Sequence, residues 1–103
     1  MTLADPSTAP SVGVVVVKGR IDGSQVGRLD AELTGRIAVG TQVLVVDVGE
    51  ANFVDLDGLG VLAGAAKQLQ DERLGSMVLR NAGTPLLRQL RLLRLDHVFE
   101  LEA

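Results

Sequence analysis

Two carboxylates on one short loop, Asp55 and Asp57, are the residues of this chain whose types and spacing could do chemistry. A pair of carboxyl groups can act as general acid and general base when their surroundings give them different pKa values. That chemistry also needs a third positioned group and a pocket, and the sequence around the two residues defines neither. A role in shaping the loop or in contacting a partner is therefore the better-supported interpretation of Asp55.

Asp57 stands at the start of a stretch that is typical of a helix. Residues 57–71 are rich in small and apolar side chains, and an aspartate at this place predicts an N-cap. The free N–H groups of a helix N-terminus favour an anion, which the side chain of Asp57 can supply. Asp57 is either a cap alone or also a fixed regulatory charge, and the two roles are compatible. Gly60 and Gly64 predict close packing of this helix against the sheet.

Other residue pairs give weaker signals of chemistry. Asp96 and His97 have the composition of a catalytic dyad, but no serine nucleophile accompanies them. Residues 58–60 form a glycine pattern that is too short to indicate a nucleotide site. Asp47 ends an apolar run, and we expect its carboxylate to bond to nearby loop amides.

The composition excludes several classes of function. With no cysteine and a single histidine, the chain has neither a disulfide framework nor a thiolate or multi-histidine metal site. A formal net charge of −3 gives no basis for nucleic-acid binding. No apolar run approaches the roughly 20 residues of a membrane span, and residues 1–10 lack the order of a secretory signal. We therefore expect a cytoplasmic protein without a cofactor or a metal.

The hydrophobic pattern predicts strands that alternate with helices. Residues 1–11 contain Pro6 and Pro10 and predict a flexible leader or an edge strand, and residues 12–103 predict one domain. β-Branched apolar runs predict strands, of which the second suits a strand covered on both faces. These strands are residues 12–18, 43–48 and 76–80.

Two further helices are predicted, one on each side of the central segment. Residues 25–38 follow Ser24, the expected N-cap, and residues 85–95 follow Thr84-Pro85, a cap hydroxyl and then a proline. The first of these helices is expected to bury Val26, Leu29, Leu33 and Ile37. The last is expected to bury Leu86, Leu90 and Leu93 and to turn Arg88, Leu92 and Leu95 outward, a combination found at interfaces.

Alternation of strands and helices implies an α/β fold. We expect four or five strands in a mostly parallel, mixed sheet with right-handed crossovers and about three helices. Three helices cannot cover both faces of such a sheet fully. One face is therefore expected to be thinly covered or open to a partner.

The motif Phe53-Val-Asp-Leu-Asp-Gly-Leu-Gly60 completes a pattern that resembles a known family. It follows Gly19-Arg-Ile-Asp22 and an amphipathic stretch, and it precedes a leucine-rich stretch that leads to Asp96-His-Val-Phe99. This order, from about residue 12 to residue 100, resembles the STAS domain of bacterial anti-sigma factor antagonists. The resemblance implies a STAS-like fold with a regulatory loop at the start of the second helix. It also implies a partner, an anti-sigma factor that is a serine kinase.

The resemblance also implies which residues bind the partner and where the sequence departs from the family. The implied partner-binding and regulatory residues are Asp22, Ser24, Asn52, Asp55, Leu56, Asp57, Gly58 and Gly60. In the family, a serine or threonine directly before the glycine accepts a phosphate. Here Asp57 occupies that position and Leu56 replaces the neighbouring hydroxyl, so serine phosphorylation cannot occur there. Asp57 carries one negative charge where a phosphoserine carries about −1.5 to −2.

Three classes of function remain open from the sequence. The first is a non-catalytic module of a partner-switching network that binds a kinase-type anti-sigma factor, as a monomer or a weak homodimer. The second is a STAS regulatory subunit of a transporter ATPase, or a small-ligand sensor. The third is an enzyme, for which the sequence offers little.

Overall fold

Four strands alternate with three helices in the computed structural model, which describes residues 11–102. The strands are β1 (Val12–Ile21), β2 (Val43–Val54), β3 (Ser76–Arg80) and β4 (Glu100–Glu102). The helices are α1 (Val26–Ala38), α2 (Leu56–Asp71) and α3 (Thr84–Leu92), and a 3₁₀ turn spans Asp96–Val98. The predicted α/β class with three helices is confirmed.

The strands form one sheet in the order β1-β2-β3-β4, and each described pair is parallel. All carboxyl ends of the strands therefore meet at one edge, where open α/β sheets place their sites. The β1–β2 ladder is irregular in two places, between Val16 and Lys18 and between Gly19 and Arg20. At the second, Gly19 pairs with Ala51 and Arg20 with Phe53, so Asn52 is an extra residue of β2. Such a bulge re-aims side chains beside a site.

The main hydrophobic cluster lies on one face of the sheet. Along β1, Val15 and Val17 are buried, whereas Val12, Val14 and Val16 are 63%, 43% and 48% exposed. The buried residues pack with the inward faces of the helices, which include Leu33 of α1 and Leu62 and Leu69 of α2. The predicted open face is thus observed along β1 but not at the two central strands, where Val45 and Val78 in register with Val14 are 3% and 7% exposed.

Helix α1 confirms three of its four predicted buried positions but not its predicted cap. Leu29, Leu33 and Ile37 are buried, whereas Val26 is only partly buried and the prediction for it is wrong. The N-cap is Gln25, without a side-chain bond, because the Ser24 hydroxyl donates to Asp22 Oδ1 at 2.6 Å instead. The prediction of Ser24 as N-cap is therefore wrong.

Helix α3 begins earlier and ends earlier than predicted. Its N-cap is Gly83, without a side-chain bond, so Thr84 and Pro85 are the first helical residues and the predicted Thr84 cap is wrong. Proline is tolerated there because first-turn N–H groups have no intrahelical partner. The helix ends at Leu92, and the chain turns through Arg94 at φ 56°.

The early end of α3 changes which leucines are buried. Leu90 is fully buried and Leu86 packs against the core, as predicted. Leu93 is 43% exposed and Leu95 packs against the core. Both of these predictions are wrong, because a helical wheel does not apply beyond Leu92.

Of the predicted N-terminal segment, only Ser11 lies within the described residues. Ser11 is attached to the start of β2, since its carbonyl accepts from Gln42 N–H at 3.1 Å and from Val43 N–H at 2.9 Å. Its hydroxyl donates to Gly40 O at 3.0 Å. The remaining residues of the predicted leader, 1–10, lie outside the described residues.

Candidate functional site

The start of α2 is capped by Asp55. Its backbone is extended, with φ −89° and ψ −176°, and its Oδ1 accepts from Gly58 N–H at 2.9 Å. The Asp55 N–H donates to Ile21 O at 3.0 Å, which ties the start of α2 to the end of β1. Asp57 lies in the first turn of the helix, so its prediction as N-cap is wrong. A cap needs extended backbone, and here the extended residue is Asp55.

Gly58 allows the close approach of α2 to β1. A Cβ at this position would lie 2.6 Å from Ile21 Cγ2, 3.1 Å from Val54 Cγ1 and 3.2 Å from Ile21 O. Ile21 is buried, so its side chain has little space in which to move. Glycine at position 58 therefore sets how closely the loop and the helix start rest on the sheet edge.

Leu56 and Asp57 are left exposed by this arrangement. Leu56 is 66% exposed, and Asp57 is exposed as well. The Asp57 carboxylate faces the loop after β1, because a Cβ built at Gly23 would lie 3.8 Å from Asp57 Oδ2. An apolar side chain and a carboxylate thus project together at the sheet edge.

The loop after β1 is organised by Asp22. Its Oδ1 accepts from Ser24 N–H at 3.0 Å and from the Ser24 hydroxyl, and its Oδ2 lies 3.5 Å from Arg20 Nε. These bonds, first that of the Ser24 hydroxyl, lower the pKa of Asp22 from its ordinary value. The structure therefore brings the predicted residues Asp22 and Ser24 beside Asp57, with fixed geometry.

Asn52 faces a cleft that the sequence did not predict. An open cleft of about 550 Å³ lies between the end of β2, the start of α2 and the start of α3. Its lining residues are Val48, Ala51, Asn52, Val54, Asp55, Leu56, Gly83, Pro85, Leu86 and Gln89. The sequence carried one signal for this neighbourhood, since the carboxyl ends of adjacent parallel strands meet at one edge.

Gly60 and Gly64 do not pack against the sheet. Both are exposed, and a Cβ at either would meet no atom within 4 Å. They line a shallow groove between α1 and α2, together with Asp57 and Asp30. The prediction of close packing is wrong, because the buried face of α2 is formed by Leu59, Leu62, Ala63, Ala66 and Leu69.

Asp47 accepts a bond from a backbone amide, but the prediction of a loop amide is wrong, because β2 continues to Val54 and the donor Gly49 lies within that strand. Asn81 is a second partner of Asp47, which the sequence did not indicate. Asp47 Oδ1 accepts from Gly49 N–H at 2.9 Å, and Asn81 Nδ2 lies 3.3 Å from the same oxygen. Asn81 adopts φ 62°, a left-handed conformation that asparagine tolerates. The Gly49 bond is the largest cause of a lowered pKa of Asp47, and the Asn81 bond adds to it.

The lowered pKa of Asp47 predicts a pH-dependent stability. A carboxyl group with a lower pKa in the folded state stabilises above its unfolded pKa, near 3.8, and this contribution is lost as the pH falls through the folded value. We expect Asp47→Asn to lower stability at pH 5 and to have progressively less effect below about pH 4. Urea unfolding of both forms between about pH 3 and pH 5 measures the difference in stability. A difference that stays constant with pH would contradict the assignment.

The described residues offer no metal centre and no membrane helix. Among residues 11–102, no group of three His, Cys, Asp or Glu side chains is placed to hold a metal ion. None of the three described helices is long and apolar enough to cross a membrane. At the carboxyl ends of the strands, the described residues present loops and a cleft.

Comparison with known proteins assigns the family. The family model described as "Mlab, STAS domain" matches residues 4–102. The chain belongs to the STAS domain family. A search of curated proteins gave no match. The matched range includes the Asp55 cap, the Gly58 contact and the exposed Asp57.

Solved structures show the same STAS fold. An anti-sigma factor antagonist from Mycobacterium paratuberculosis is 28% identical, with a TM-score of 0.78, over 89% of this chain and 77% of that one. The phosphorylated Bacillus cell fate determinant SpoIIAA is 18% identical, with a TM-score of 0.72, over 93% and 86%. A sulfate transporter family protein from Wolinella succinogenes is 15% identical, with a TM-score of 0.75, over 88% and 75%.

Proposed function

We propose that this STAS domain is a non-catalytic, cytoplasmic regulatory module that binds a protein partner at the start of α2. The observation that carries the proposal is that one residue caps the helix start while its two neighbours are left exposed. Asp55 holds the helix start, while Leu56 and Asp57 are exposed. An exposed leucine beside a charge on a rigid helix start suits a docking surface, because little conformational entropy is lost on binding.

The partner proposed first is an anti-sigma factor of the serine-kinase type. Support comes from family membership and from the fold shared with anti-sigma factor antagonists. The further implied residues surround the same surface, with Asp22 and Ser24 on the adjoining loop and Asn52 at the bulge. We propose that the chain acts as a monomer or a weak homodimer.

Identification of the partner tests this proposal directly. Affinity capture of the tagged chain from its native cells, followed by mass spectrometry, should recover a protein with a kinase-type ATP-binding domain. Leu56→Asp should reduce that capture, since it places a second charge on the exposed apolar contact. Leu74→Asp is a matched control, because Leu74 is exposed at the opposite end of α2. Equal loss with both variants would contradict docking at the start of α2.

A transporter ATPase is the second candidate partner. The support for it is a likeness of fold to a sulfate transporter family protein. The same capture experiment separates the two, because it would recover a transport ATPase in place of a kinase. The cleft beside Asn52 leaves a small-ligand sensor as a variant of this candidate.

Asp57 is expected to match a partner that carries a complementary charge. Because Asp55 caps the helix, Asp57→Ser should leave the fold nearly unchanged while it removes the charge. We expect the affinity for the captured partner to fall severalfold or more, as for loss of a paired interface charge. Calorimetric titration of both forms measures it.

Three outcomes of that titration are distinguishable. Weaker binding by Asp57→Ser supports a charge-matched partner. Tighter binding would show that the native charge opposes docking, as a permanent stand-in for a phosphate. Equal affinity would remove Asp57 from the docking surface.

The segment around Asp57 is also expected to resist phosphorylation. Residues 51–62 contain no serine, threonine or tyrosine, so a serine kinase has no acceptor there. After incubation with ATP and the captured kinase, phosphopeptide mapping should find this segment unmodified. The Asp57→Ser chain is the matched control, because it restores the acceptor hydroxyl. A phosphate mapped to residues 51–62 of the native chain would overturn the prediction.

A further inference from the structure

The outward face of α3 presents arginines around an exposed leucine. Arg88 and Arg91 are exposed, and Leu92 is 78% exposed. Arg94 is exposed in the turn that directly follows the helix. Arg88 and Leu92 are four residues apart and therefore neighbours on the helix surface. We call these four residues the Arg–Leu surface.

The positive charges of this surface are not neutralised within the described chain. The ion pairs formed among residues 11–102 join Arg20 to Asp22 and Arg80 to Glu102. Residues 84–95 contain no aspartate or glutamate. Asp96 follows in the 3₁₀ turn beside α3, and it forms no ion pair with the Arg–Leu surface. The guanidinium groups are therefore available to an external anion.

We propose that the Arg–Leu surface binds an acidic segment of a partner protein. Arginine suits carboxylates because its planar guanidinium group donates two parallel hydrogen bonds to one carboxylate. Leu92 supplies the apolar contact that such a segment needs, and the apolar stems of the neighbouring arginines can extend that contact. The partner segment is thus expected to combine aspartate or glutamate with at least one apolar side chain.

A bilayer fits this surface less well than an acidic protein segment. A helix that lies in a membrane interface buries its apolar face in the lipid. The apolar face of α3 is already occupied, because Leu90 is fully buried and Leu86 packs against the core. Lipid would meet only Leu92 and the half-exposed Leu93.

This second surface is independent of the proposed docking of a partner at Asp57. The two surfaces carry charges of opposite sign, because Leu56 lies beside a carboxylate and Leu92 beside guanidinium groups. The chain would therefore offer two contacts of opposite charge. Failure of either can be measured without the other.

An NMR titration of the isotope-labelled full chain tests the proposal with a defined probe. The probe is a synthetic peptide of repeated Glu-Glu-Leu units, and the control peptide repeats Lys-Lys-Leu. We expect the acidic peptide alone to shift the amide signals of Arg88, Arg91 and Leu92. The double variant Arg88→Glu/Arg91→Glu should weaken binding by about tenfold or more. Arg28→Glu, an exposed arginine of α1, should not.

The contrary outcomes are equally defined. Absence of shifts at millimolar peptide, or equal shifts with both peptides, would overturn the proposal. Undiminished binding by the double variant would do the same, provided that its melting temperature matches that of the native chain. Co-sedimentation with phosphatidylglycerol vesicles, lost in the double variant, would assign the surface to lipid instead and would also overturn it.

Discussion

Replacement of Leu62 by alanine should lower the free energy of unfolding by about 2–5 kcal/mol. Leu62 is 1% exposed and lies in the core between α2 and the sheet. The loss combines the transfer free energy of the removed atoms with the cavity that remains. For a domain of this size the melting temperature should fall by roughly 10 °C or more. Thermal and urea unfolding both measure it.

Leu56 provides a matched control on the same helix. It is 66% exposed, so Leu56→Ala should change stability by no more than about 0.5 kcal/mol. A melting shift of only a degree or two for Leu62→Ala would show that α2 is rotated from the described orientation.

Replacement of Gly58 by alanine should destabilise the chain although it removes a glycine from a helix. Alanine has the higher helix propensity, by up to about 1 kcal/mol. Against that gain, the new Cβ would lie 2.6 Å from Ile21 Cγ2 and 3.2 Å from Ile21 O, and the carbonyl belongs to β1. Overpacking of this kind costs about 1–3 kcal/mol. We expect a net loss on urea unfolding, together with weaker capture of the partner.

Gly60 supplies the opposite expectation two residues later. A Cβ there meets no atom within 4 Å, so Gly60→Ala should raise stability by about 0.5–1 kcal/mol. If both glycine variants stabilise the chain, the close contact between Gly58 and Ile21 is absent in solution. The pair of variants thus separates packing from helix propensity.

The sequence was sufficient for most of the fold because its periodicities are local. The valine run of β1 and the three- and four-residue spacing of the apolar residues in α1 each lie within a single strand or helix. Residues 76–80 were predicted as a strand with the observed bounds. Helix ends were less predictable, because competing partners decide them. Ser24 bonds to Asp22 rather than to the helix N-terminus. Helix α3 ends at Leu92 rather than at residue 95.

The sequence indicated which candidate residues lie close together but not what they contact. The family motif located Asp55, Leu56, Asp57 and Gly58, and the structure places them together at the sheet edge. Which aspartate caps the helix depends on backbone angles that the two-residue spacing does not determine. The cleft with Leu86 and Gln89 depends on how α3 rests beside β2, which is a long-range contact. No local pattern encodes such a contact.

Because Asp55 forms the cap, residue 57 is free to change during evolution. Because the helix start depends on Asp55 and Gly58, residue 57 can change its charge without loss of the fold. Serine, phosphoserine and aspartate at position 57 should therefore all be compatible with the same fold. On the proposed role of position 57, a single substitution would gain or lose a phosphorylation switch in evolution, and Asp57→Ser alone would install one by design.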